Sequence, residues 1–161
     1  MPAEFNAEKI QEQLAETWLP RIYRERILKL RTRSYHFESP NPPARIDIQH
    51  TLLGVELKIG RKRLLCPDLA TARYLSVFAR IGCKDVAVPY DITKISRLAD
   101  ELESSWYRML LLIDQEARGK SARVRSRLRG LLLANIRAEI AEAGPGTRVP
   151  EFKLKRPLDS N

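Results

Sequence analysis

Cysteine and histidine are scarce, two of each in 161 residues. Cys66 and Cys83 cannot build a disulfide framework. With His36 and His50 the only imidazoles, structural zinc lacks ligands at any familiar spacing. Long apolar runs are missing too. The longest, Met109-Leu110-Leu111-Leu112-Ile113, falls far short of the ~20 residues a membrane-spanning helix needs. There is no glycine-rich phosphate loop and no Gly-x-Ser-x-Gly elbow. Glu4, Glu8, Glu12 and Glu16 occupy the first turns, so no basic-then-apolar leader is expected, and a cytoplasmic protein without membrane contact is the plain expectation.

Positive charge is what the chain has in excess. Its 29 Lys+Arg against 20 Asp+Glu give a net charge of +9. That balance suits a polyanionic partner, nucleic acid foremost, but says nothing about chemistry. Apolar residues at 43% and charged residues at 30% exclude a disordered chain and fit one domain with its own core.

Periodicity then divides the chain. Asn6 is expected to cap a helix from Ala7 whose stripe is Ile10, Leu14 and Trp18. Pro20 kinks that helix or opens a second one, carrying Ile22, Tyr23, Ile27 and Leu30 to about Arg33. Residues 34–38 alternate as a short strand, and Ser39-Pro40-Asn41-Pro42-Pro43 reads as a rigid loop. Ile46 and Ile48, then Val55, Leu57 and Ile59, mark two half-buried strands, with a short helix over 44–53 as the alternative. A brief strand follows from Arg63 to Cys66. Asp68 should cap a helix that Gly82 ends, and residues 85–89 read as a buried strand. Asp91 caps a helix over about 92–117 with the stripe Ile95, Leu98, Leu102, Trp106, Met109 and Ile113. After Gly119, Ser121 caps a last helix with Val124, Leu128, Leu132, Ile136 and Ile140 in register.

The expected fold is therefore α+β: a small three- to four-stranded sheet flanked by helices, with a C-terminal antiparallel helical hairpin. Residues 1–144 form the domain, with a core at 6–89 and the helix pair at 91–143; residues 145–161 read as a flexible tail. Leu110, Leu111 and Leu112 cannot all face one neighbour. The surplus packs on the sheet or on another subunit, as in a homodimer through the helix pair.

Two constellations could carry function. A hairpin turn centred between Thr51 and Leu52 would set Asp47 directly opposite Glu56, with Lys58 two residues along on the same face. Paired carboxylates at about 5 Å can hold a divalent cation through oxygen. A neighbouring ammonium could orient a metal-bound water. Asp47, followed by Glu56-Leu57-Lys58 on the next strand, resembles the PD-(D/E)xK nuclease signature. The run Val55 to Lys62, then a helix ending Phe78-Ala79-Arg80-Ile81-Gly82 and a buried strand, is similar to archaeal Holliday-junction resolvases. The resemblance covers roughly residues 6–89. It implies DNA hydrolysis with Mg or Mn, with Asp47 and Glu56 as ligands and Lys58 assisting the water. Ile46 stands where that signature has proline, and the Asp47-to-Glu56 spacing is short. On an open sheet face the same three residues would be ordinary solvated side chains.

The second constellation is basic. Residues 21–33 carry Arg21, Arg24, Arg26, Lys29, Arg31 and Arg33 against Glu25 alone. Arg118, Lys120, Arg123, Arg125, Arg127 and Arg129 crowd residues 118–129 with no acid, and Arg61, Lys62 and Arg63 follow the hairpin. Such arginines fit phosphate, or else pair with the acidic faces Glu4 to Glu16 and Asp100 to Glu103. Arg118, Arg125 and Arg129 are expected to share one sector of the last helix. Trp106 and Tyr107 are expected to pack in the core, and Cys66 and Cys83 to be buried. The leading expectation is nucleic-acid association on a nuclease-like scaffold. The alternative is a non-enzymatic adaptor or assembly factor whose helix pair docks an acidic protein.

Overall fold

The computed structural model describes residues 3–38 and 45–146. The Ser39–Pro43 loop and residues 147–161 of the expected tail lie outside the described residues. The fold is α+β, in the order α1 (Ala3–Leu14), α2 (Leu19–Ile22), β1 (Thr32–His36), β2 (Ile46–Thr51), β3 (Gly54–Ile59), β4 (Lys62–Cys66), α3 (Leu69–Ile81), β5 (Asp85–Pro89), α4 (Ile92–Glu116) and α5 (Ala122–Ala143). The strands form two small antiparallel sheets rather than one: β1–β5, and the meander β2–β3–β4.

The local signals that carry their own physics hold. Asp68 caps α3 by accepting the Thr71 N–H at 2.7 Å, and Gly82 ends it at φ 93°. The Asp91 carboxylate accepts the Thr93 N–H at 3.0 Å, and Ser121 caps α5 through the Val124 N–H. The apolar stripe of α4 is buried, as is that of α5 from Leu128 to Ile140, with Val124 at its start half-buried, and both cysteines are buried too. Burial pushes the Cys83 thiol up to about 12.

The first segment departs from expectation. α1 already runs from Ala3, so Asn6 lies inside the helix instead of capping it. The helix stops where Ala15 takes φ 51°. Pro20 sits in the first turn of α2, which passes into a π-helical turn over Tyr23–Ile27. Pairing with β5 then claims the chain from Thr32, two residues before the strand was expected.

α3 is the central post. The inner face of the meander (Ile46, Leu57, Ile59 and Cys66) packs on it, and α4 lies against it most extensively. α5 packs more on α1 than on its hairpin partner α4. Of the surplus leucines of α4, Leu110 and Leu112 are partly buried against the core, whereas Leu111 stays exposed. Buried tyrosines tie the layers together. The Tyr23 hydroxyl accepts the Ala87 N–H at 2.9 Å and donates to the Gly144 carbonyl at 2.6 Å, while Tyr74 donates to the Ala87 carbonyl at 2.5 Å.

Candidate nucleic-acid interface

The hairpin decides what Asp47, Glu56 and Lys58 can do. Its turn is Leu52-Leu53, one residue later than expected. The Thr51 hydroxyl accepts the Leu53 N–H at 3.1 Å and donates to the Gly54 carbonyl, and Gly54 takes φ 129°. The register therefore sets Asp47 opposite Lys58 and Gln49 opposite Glu56. Asp47 and Glu56 keep one face but become diagonal neighbours, about 7–8 Å apart rather than 5. The alternative helix over 44–53 is not formed, since Ile46–Thr51 is a strand.

That face is the one turned away from α3. Asp47 lies 3.5 Å from the Arg45 guanidinium, and Glu56 3.8 Å from Arg63. Glu56 is nearly covered, and its Oε1 finds no hydrogen-bond donor among the described residues. No three His, Cys, Asp or Glu side chains gather among the described residues in a way that could hold a metal. A hollow of about 360 Å³ lined by Cys83, Asp85 and Arg137, and one of about 290 Å³ beside Arg108, are both built from other residues. Asp47, Glu56 and Lys58 share one sheet face, half-buried at Asp47 and Lys58 and nearly covered at Glu56, where each carboxylate faces an arginine.

The basic clusters separate into spent and unspent cations. Arg21 pairs with Glu25 at 3.0 Å, Arg24 with Glu139 at 3.0 Å, and Arg26 with Glu101. The Arg21 hydrogen bond holds the Glu25 carboxyl below its ordinary value. Arg31 and Arg33 lie over the Tyr90 ring, 5.1 and 5.6 Å from its centre. Lys62 bonds Glu38, whose carboxyl is held low by that contact, while Arg61 is exposed.

On α5 the expected sector is divided. Arg125 reaches Asp114 of α4 at 2.5 Å, and Arg129 lies over the Trp106 ring at 5.7 Å. Both sit on the side of the helix that meets α4. Arg118, Lys120, Arg123 and Arg127 are exposed and make no ion pair among the described residues. Arg123 and Arg127 are one helical turn apart and stack along the solvent side.

The acids of α4 are the counterpart, and all five are occupied. Glu101 holds Arg26, Asp100 and Glu103 share Arg73 at 2.5 and 2.7 Å, Asp114 holds Arg125, and Glu116 holds Lys9 at 3.2 Å. The two carboxylates raise Arg73 further above its already high value. Lys94, Arg97 and Arg108 of the same helix are exposed and unpaired among the described residues. The field at the α4–α5 end is set by free cations beside neutralised acids. Trp106 is buried as expected; Tyr107, expected in the core, stands 62% exposed.

A comparison with protein families, curated proteins and solved structures finds no match to this chain. No helix among the described residues is long and apolar enough to cross a membrane.

Proposed function

We propose that this chain binds nucleic acid through the phosphate backbone, at the α4–α5 turn and the first turns of α5. The observation that carries the reading is the division of the arginines. Arg125 and Arg129 are spent holding α5 to α4, whereas Arg118, Lys120, Arg123 and Arg127 stand exposed with no carboxylate to neutralise them among the described residues. Guanidinium groups so placed meet phosphates, displace counterions and bind without reading bases. Metal-dependent cleavage forms no part of the proposal, because Asp47 and Glu56 are diagonal rather than opposite and each is turned to an arginine.

The test compares two double variants by fluorescence anisotropy over a salt series. Arg123→Gln with Arg127→Gln should keep the melting temperature, since Gln is nearly as good a helix former. It should weaken binding to unrelated sequences alike. The slope of log affinity against log salt should drop by roughly 0.7–0.9 per lost contact. Arg125→Gln with Arg129→Gln should instead lower stability by about 1 kcal/mol, from an exposed ion pair and a cation–π contact, and leave the slope alone. If the wild type binds no nucleic acid even at low salt, the reading falls, and docking of an acidic protein by the helix pair takes its place.

A further inference from the structure

The outer side of α4 carries a feature that phosphate contact does not use. Tyr107 is 62% exposed and Leu111, one turn further on, 56% exposed. Helical geometry sets them on one side of α4, about 16 Å or less from the Arg118 turn. Arg108 adjoins Tyr107, is exposed, and has no carboxylate partner among the described residues. An aromatic ring standing in water beside Arg108, which has no ion pair among the described residues, on a helix whose acids are all tied down, matches what a single strand requires: a π-face for a base and cations for the backbone. A paired base keeps its faces inside the stack and cannot use such a ring. The neighbouring acids limit the path. Glu8 and Glu12 on α1, and Glu16 just beyond it, are exposed and make no ion pair among the described residues, and Glu16 shares the hollow that Arg108 borders. A strand therefore keeps to the side of α4 away from α1.

We infer that the nucleic acid held at the α4–α5 end is single-stranded, with one of its bases stacked on Tyr107 and flanked by Leu111. This rests on the phosphate reading above and adds the kind of strand it favours. The path runs from Arg118 at the turn along α4 to Leu111 and Tyr107, a span of a few nucleotides.

The experiment measures anisotropy of a fluorescein-labelled oligo-dT 20-mer and of a labelled 20-base-pair duplex, using the full chain and the variants Tyr107→Ala and Tyr107→Phe. Tyr107 is exposed, so all three should melt together, and a shared melting temperature shows that the fold is kept. The wild type should prefer the single strand by about ten-fold. Tyr107→Ala should weaken single-strand binding about ten-fold with the salt slope unchanged, because no phosphate contact is lost. Tyr107→Phe should retain affinity, since the ring and not the hydroxyl does the stacking.

Equal binding of single strand and duplex, or an unchanged affinity in Tyr107→Ala, overturns this inference. If Arg123→Gln with Arg127→Gln still weakens binding in that case, the phosphate reading stands without it. If the wild type binds neither probe, both fall together.

Discussion

Removing one oxygen at Tyr23 tests whether the tyrosine pins hold the layers together. In Tyr23→Phe the ring keeps its buried place edge-on to Phe78, 5.9 Å between centres. Two backbone groups lose their partner: the Ala87 N–H, in a residue with no exposed surface, and the Gly144 carbonyl at the end of α5. A buried donor left unmet costs about 1–3 kcal/mol. The carbonyl costs less, because Gly144 is only partly buried and can take a water. Sparing the hydroxyl its own burial offsets part of this, so the expected loss is about 2 kcal/mol. For a chain of this size that is a fall in Tm of roughly 4–8 °C. Urea melts followed by circular dichroism should show a lower midpoint with the same slope.

A pH arm checks the cause. Burial raises the Tyr23 phenol from 10.0 to about 12. Below pH 10 both folded and unfolded chains keep the proton, and stability is unaffected. Between pH 10 and 12 the unfolded chain releases it and the folded chain does not, so stability falls, by about 2–3 kcal/mol at most from this group. Tyr23→Phe should therefore lose stability more slowly than wild type across that window. Tyr35 and Cys83, both near 12, and Tyr74, raised by burial, keep their own share of the alkaline loss in both proteins. A stability change under about 0.5 kcal/mol, or identical alkaline slopes, would refute the pinning argument.

Asp68→Ala removes the hydrogen bond to the Thr71 N–H and should cost about 1 kcal/mol in the same melts. Two glycines should answer alanine with opposite signs. Gly130 lies in α5 with open space where a Cβ would go, so Gly130→Ala should stabilise by about 0.5–1 kcal/mol. At Gly146, φ is 80° and a Cβ would come within 2.5 Å of the Thr32 hydroxyl and 2.9 Å of Ala87, so Gly146→Ala should destabilise by about 1–3 kcal/mol; equal shifts for the two would contradict that geometry.

Elements ruled by local chemistry could be read from the residues. Asp68 and Gly82 bracket α3 because a carboxylate can take an orphan N–H and glycine tolerates positive φ. The stripes of α4 and α5 gave their buried faces for the same reason. The meander register was not legible. Leu52-Leu53 has no turn former, and the Thr51 hydroxyl that spans the turn shows itself only in three dimensions. That one-residue shift moved Glu56 from opposite Asp47 to opposite Gln49.

The division of arginines was partly visible. Arg129 stands three residues before Leu132, and Arg125 three before Leu128, placing both towards the inward side, whereas Arg123 and Arg127 fall outside that series. Their partners, Asp114 and Trp106, belong to another helix, and no pattern within 118–129 could name them. Tyr107 had a signal as well. The core series steps from Leu102 to Trp106 to Met109, and the next residue after Trp106 is rotated about 100° away from it.

The packing of α1 on α5 also bears on how the chain reaches its native state. Trp18 Nε1 donates to Glu139 at 3.1 Å, Arg24 pairs with the same carboxylate, and Tyr23 holds Gly144, all across more than a hundred residues. Bringing such distant segments together costs loop-closure entropy before any contact rewards it. On the ribosome, Ile10, Leu14 and Trp18 emerge long before the helix that covers them. An amphipathic N-terminal segment thus waits for α4, and its packing is complete only when Leu128 to Ile140 have been synthesised. Secondary structure in the meander and α3 can form well before the first helix is locked in place.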